Sequence, residues 1–147
     1  MSRYEITTRA EYDYAHQLNI EPLTNRYVTL EHGLRIEIQH ELFGTGHTPE
    51  ENEKFYRWCW EHKPHICEEC MKPLPGYSAV FISHILTRGA HPDIAHDPRN
   101  VNILCERHHA IWENGRRETM RIYRSNQQII EELKHEYYDD REGKRNI

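Results

Sequence analysis

The chain has 147 residues, of which 37% are hydrophobic and 29% charged, with 19 Lys and Arg against 24 Asp and Glu for a formal charge of −5. That length suits one domain with a modest core and an appended element, and no run of about 18 apolar residues exists to span a membrane. The net negative charge argues against a protein that coats nucleic acid without specificity, and the start Met1-Ser2-Arg3-Tyr4-Glu5 has no apolar leader, which points to the cytoplasm.

Residues 1–46 lean towards strand and are expected to form an N-terminal extension. Leu34-Arg35-Ile36-Glu37-Ile38 alternates with period two, as a half-buried strand does, and Tyr27-Val28-Thr29-Leu30 before Glu31-His32-Gly33 suggests a hairpin partner and turn. Gly44-Thr45-Gly46 punctuates the end of this region. Thr48-Pro49-Glu50-Glu51 then predicts a helix start: Thr48 can cap, Pro49 suits the first helical position and Glu51 completes a capping box. Phe55, Trp58, Cys59 and His62 share one face of that helix, a packing stripe in which Cys59 is a small core residue. Pro64 ends it.

Beyond Cys67-Glu68-Glu69-Cys70, residues Tyr77 to Ile82 read as a short strand running into Ser83-His84. Gly89, Pro92 and Pro98 make 86–99 a loop, in which His91 and His96 are expected at the surface. Val101 to Leu104 is extended, and Cys105 to Asn114 is a short helix ended by Gly115. A helical stretch covers Arg116 to Tyr138, with a break and a second capping box at Ser125 and Gln128, and a frayed charged tail follows. The expected organisation is an extension over 1–46, a central domain over 47–124 that includes the helix before it, and a C-terminal helix and tail over 125–147.

Charge is unevenly spread. Seven arginines face five acids between Val80 and Arg124, whereas residues 1–66 carry seven basic against eleven acidic side chains. This bias fits either an anionic partner or an ordinary solvated surface.

The two halves Cys67-x-x-Cys70 and Cys105-x-x-His108 have the spacing of two knuckles that close one tetrahedral zinc site. Two disulfides are the competing use of four cysteines, but a chain without a leader favours the metal. His65 could hydrogen-bond around such a site. His109 is left over beside a zinc ligand, and His84 and Asn100, between the knuckles, are candidates for a second site with it.

In order, these pieces are Cys-x-x-Cys, strand, His84, loop, Asn100, Cys-x-x-His, His109 and helix. Over roughly residues 65–115 this resembles the HNH endonuclease family, in a zinc-knuckle branch found in phages and bacteria. The resemblance implies an α+β fold built on a ββα-metal finger stapled by structural zinc, with flanking helices. It implies DNA as partner, no membrane association, and hydrolysis by direct attack of water. His84 would be the general base, and Asn100 would brace the loop and orient that base. His109, with Glu113 on the same helix face, would hold a catalytic Mg²⁺ or Mn²⁺. Arg88, Arg99 and Arg107 are the expected phosphate contacts. Many family members place an acidic metal ligand immediately before the base; Ser83 stands there instead. A zinc-stabilised nucleic-acid-binding module without catalysis, and a protein-interaction scaffold, are the rival readings.

Overall fold

The computed structural model describes residues 32–139, which divide into two compact units, one ending at Lys63 and the other beginning at Pro64. The capped helix belongs to the first unit and the C-terminal helix to the second. The described architecture is mixed, helices with one small antiparallel sheet.

In the first unit, helix α1 (His32–Phe43) occupies the segment expected to be a strand. Its buried residues are Arg35, Ile38, Gln39, Leu42 and Phe43, a spacing of three and four that is helical. Two polar side chains sit at inward positions, so the apolar residues alone trace a misleading alternation. The hairpin partner expected at Tyr27–Leu30 lies outside the described residues. Helix α2 (Pro49–His62) has the expected capping box, with the Thr48 hydroxyl accepting from Glu51 N at 3.2 Å and Glu51 Oε1 accepting from Thr48 N at 3.1 Å. Phe43 meets Phe55 and Trp58 edge-on, with centroids 5.1 and 5.8 Å apart, and Cys59 is fully buried. Gly44 joins the helices at φ +91°, and a Cβ there would fall 2.0 Å from Glu51 Oε2, so the turn and the cap require glycine together.

The second unit is built around strands β1 (Ile82–His84) and β2 (Val101–Ile103), antiparallel with Ser83 opposite Asn102 and His84 opposite Val101. β1 is shorter than expected. Ser78 caps a 3₁₀ turn over Ala79–Phe81, because its hydroxyl accepts from Val80 N and draws the chain out of the extended state. Helix α3 (Glu106–Asn114) starts at Cys105 and stops at Gly115, as expected. There a Cβ would lie 3.1 Å from the Ile111 Cα and carbonyl oxygen.

Helix α4 (Tyr123–Lys134) follows a 3₁₀ turn at Arg117–Thr119 and runs into a π-helical turn at His135–Asp139. The break therefore falls at Met120–Ile122 and not at Ser125. Ser125 lies inside α4, its hydroxyl donating back to the Ile122 carbonyl rather than capping. The core of this unit gathers Cys67, Ile85, Leu104, Trp112, Met120 and Ile122, so the first knuckle, the residue after each strand, α3 and the turn before α4 share one apolar cluster, against which Tyr123, Ile129 and Ile130 of α4 pack. Among the described residues, no helix is long and apolar enough to cross a membrane.

Candidate metal centre and adjoining histidine site

Cys67 opens a tight turn in which its N–H donates to the Lys72 carbonyl and its carbonyl accepts from Met71 N, Met71 taking φ +65°. Glu68 N donates to the Ile103 carbonyl, which ties this turn to the end of β2. Cys105 follows β2, and its carbonyl accepts from His109 N as α3 begins, so His108 lies in the first turn of the helix.

These elements bring the ligand atoms of Cys67, Cys70, Cys105 and His108 within 4.8 Å of one another. The His108 Nδ1 lies 3.2 Å from Cys105 Sγ and 3.7 Å from Cys67 Sγ. Ordinary zinc bond lengths and tetrahedral angles put such an edge at about 3.6 Å. Three thiols and an imidazole at those separations are a zinc donor set, and the four residues expected from spacing are the four that converge. Burial pushes the Cys67 thiol up, whereas the Lys72 amide draws exposed Cys70 down. A cation held there would supply the charge that lets buried Cys67 ionise with the others. His65 is exposed and contributes to the knuckle through its carbonyl, which accepts from Leu74 N.

The acids inside the first knuckle carry contacts that spacing rules do not see. Glu68 accepts from Asn102 Nδ2 at 2.8 Å and from Ile103 N at 2.6 Å. Asn102 in turn accepts from Asn126 Nδ2 at 2.7 Å. Glu69 accepts from the backbone N–H groups of Arg121 and Ile122, at 2.8 and 3.0 Å, and so caps α4 from outside.

His84 ends β1 and is half-buried, with Nε2 3.0 Å from the Ala95 carbonyl. A carbonyl only accepts, so the ring proton resides on Nε2 and the basic lone pair on Nδ1. Burial pulls this imidazole down to about 4, with repulsion from Arg88 and His109 adding to it while the Ala95 carbonyl and Glu113 act the other way. Asn100 is fully buried. Its side chain accepts from Leu86 N at 2.8 Å and donates to the Leu86 carbonyl at 2.9 Å, while its own carbonyl accepts from Ile85 N. It braces the chain directly after His84.

His109 and Glu113 meet as an i, i+4 pair on α3, through Nε2 and Oε1, and His109 Nδ1 is held by the Val80 carbonyl. Both ring nitrogens of His109 therefore face oxygen acceptors, the Val80 carbonyl at Nδ1 and the Glu113 carboxylate at Nε2, and a donor bond from Nδ1 to a carbonyl is the arrangement usual for a metal-binding histidine. Ser83 is fully buried, and its hydroxyl has no hydrogen-bond partner among the described residues. Adjacent residues of a strand point to opposite faces, so Ser83 does not share the half-open face of His84.

Arg88 and Arg107 are exposed. Arg99 departs from expectation: its guanidinium lies between Asp97 and Glu136, at 2.6 and 2.7 Å, rather than facing solvent. Burial works against its charge, but Asp97 and then Glu136 outweigh this and keep it protonated. His96 is another correction. Expected at the surface, it is only 3% exposed, because the loop folds into successive tight turns between His91 and Asn100.

No protein-family model, curated protein or solved structure matches this chain.

Proposed function

We propose that this chain is a metal-dependent endonuclease of the HNH type that hydrolyses DNA phosphodiester bonds. The observation that carries the reading is that His84, at the end of β1, lies close enough to the His109–Glu113 pair of α3 for both to act on its charge, while the neighbouring His108 belongs to a zinc-type cluster. The His84 proton is fixed on Nε2 by Ala95, and His109, with Nδ1 donating to the Val80 carbonyl, keeps Nε2 beside Glu113, the pair that would hold a metal ion. The order strand, strand, helix, with His84 on the first strand and His109 on the helix, also fits a ββα-metal finger. The zinc-type cluster fixes the start of α3, and with it His109, so metal and chemistry have separate residues.

In this mechanism His84 accepts a proton from water at Nδ1, and the resulting imidazolium keeps its N–H on the Ala95 carbonyl. Asn100 holds the Ile85–Leu86 backbone so that the ring does not swing. His109 and Glu113 would hold Mg²⁺ or Mn²⁺, which when bound offsets charge developing on the phosphate and leaving oxygen. Arg88 and Arg107, both exposed, would contact phosphates, whereas Arg99 is held by Asp97 and Glu136.

A second reading, a zinc-stabilised nucleic-acid-binding module, is favoured by one observation. With Ser83 buried, His109 and Glu113 are the pair offered to a catalytic ion among the described residues. Incubation with supercoiled plasmid, with and without Mg²⁺ or Mn²⁺, distinguishes the two. The parent should nick or linearise DNA only with the divalent ion. His84→Ala should lose about 100-fold or more in rate while retaining one zinc per chain and the parent's melting temperature. If His84→Ala cuts as fast as the parent, the mechanism is wrong. If the parent binds DNA in a salt-dependent way but never cuts it, the second reading holds.

A further inference from the structure

Three consecutive residues of the π-helical turn, Glu136, Tyr137 and Tyr138, are fastened to the loop between β1 and β2. Glu136 grips Arg99 through both carboxylate oxygens, at 2.7 and 3.3 Å. The Tyr137 hydroxyl donates to Asp97 Oδ2 at 3.0 Å, and both residues are buried. The Tyr138 hydroxyl lies 3.2 Å from Asp93 Oδ1 and 2.9 Å from His91 Nδ1. Asp97 is locked further, accepting from the Arg99 backbone N–H, Nε and Nη2.

Ala95, whose carbonyl accepts from His84 Nε2, stands two residues from Asp93 and two from Asp97. Its N–H is taken by the Pro92 carbonyl, and Asp97 N returns to the Ile94 carbonyl, so the peptide between the fastened acids has little freedom to rotate. A buried ionic cluster of this kind adds little net stability over an apolar one, because desolvating its charges offsets their attraction. What it supplies here is a fixed geometry at two points flanking the Ala95 carbonyl.

We propose that Glu136 and Tyr137 are positioning residues for His84. Acting through Arg99 and Asp97, they hold the Ala95 carbonyl where it keeps the ring proton on Nε2 and the lone pair on Nδ1. The catalytic meaning rests on His84 being the general base, whereas the coupling of the C-terminal turn to the His84 tautomer can be read without any reaction.

The test uses the zinc-loaded full chain with isotopically labelled histidine, the His84 ring signals being assigned by their loss in His84→Ala. The parent should give the shifts of a proton fixed on Nε2. Tyr137→Phe removes one hydroxyl, and Glu136→Gln keeps shape and one acceptor but loses the charge. Both should move the His84 signals towards the average of two tautomers, with zinc content unchanged and Glu136→Ala moving them further than Glu136→Gln. In the plasmid assay the same variants should lose about 10- to 100-fold in kcat at unchanged KM, the usual cost of a misplaced group. Should Tyr137→Phe fail to fold, the partly exposed Glu136 variants carry the test alone. If folded Glu136→Gln and Glu136→Ala keep the parent's His84 tautomer, the inference is overturned whether or not DNA is cut. If the signals move while the parent does not cleave, the coupling stands and the nuclease reading falls.

Discussion

At the scale of single residues, His84 is defined by what surrounds it. The Ala95 carbonyl assigns its tautomer, and burial lowers its proton affinity to about 4, below the ordinary histidine value. The sign of the consequence is clear: a base with a depressed pKa stays neutral, and competent, as pH falls through the range where a solvated histidine protonates. The cleavage rate should therefore show no acid-side break near pH 6.5. A pH profile of kcat/KM between about 5.5 and 8 checks this, and an inflection at 6.5 would contradict the assignment. The identity of His84, Asn100 and His109 as candidates was legible from their order between and beside the knuckles. Their partners were not, since Ala95 and Val80 act through backbone carbonyls that every residue possesses. Glu136 and Tyr137 lie about 40 residues from the loop they hold, with no spacing to mark them.

Elements formed where expected when the forces that make them are local. Thr48, Pro49 and Glu51 start α2 through bonds spanning three residues, and Gly115 ends α3 by close approach to Ile111. Where distant groups intervene, the pattern misleads. In α1 the buried positions of Arg35 and Gln39 hide a helical face behind an apparent alternation. In α4, Ser125 does not cap, and Ile122 at the helix start has no side-chain cap of its own. Glu69 serves instead, from the knuckle more than 50 residues upstream. Glu69→Ala should accordingly cost about 1–2 kcal/mol, the usual loss on removing a helix cap, while leaving zinc stoichiometry at one. Thermal unfolding checks it: a fall of several degrees is expected, and a melting temperature within about 1 °C of the parent would remove Glu69 from the role.

At the scale of the whole molecule, the Cys67, Cys70, Cys105 and His108 cluster joins the first knuckle to the start of α3. Cys67 is both a member of the candidate metal cluster and part of the apolar core, packed with Trp112, Leu104 and Ile122. Metal loss should therefore be felt in the folding of the second unit, not merely at the knuckles. Removing zinc with a chelator, or replacing Cys67 by Ala, should lower the melting temperature by about 10 °C or more, because structural zinc contributes directly to folding. Metal analysis with calorimetry checks this. A zinc-free chain that melts like the parent would show the cluster to be dispensable.

Spacing alone marked the four residues of the candidate metal cluster, because two donors three residues apart can form a knuckle wherever the chain carries them. The sequence by itself also determined the capped helix and the strand–strand–helix order, which follow from short-range bonding. Folding, and not the order of residues, sets that Ser83 is buried, that Arg99 is held by Asp97 and Glu136, and that Glu69 and the C-terminal turn fasten distant elements. The reason is physical: burial and long-range hydrogen bonds depend on which surfaces meet, and side-chain identity and spacing do not specify that meeting.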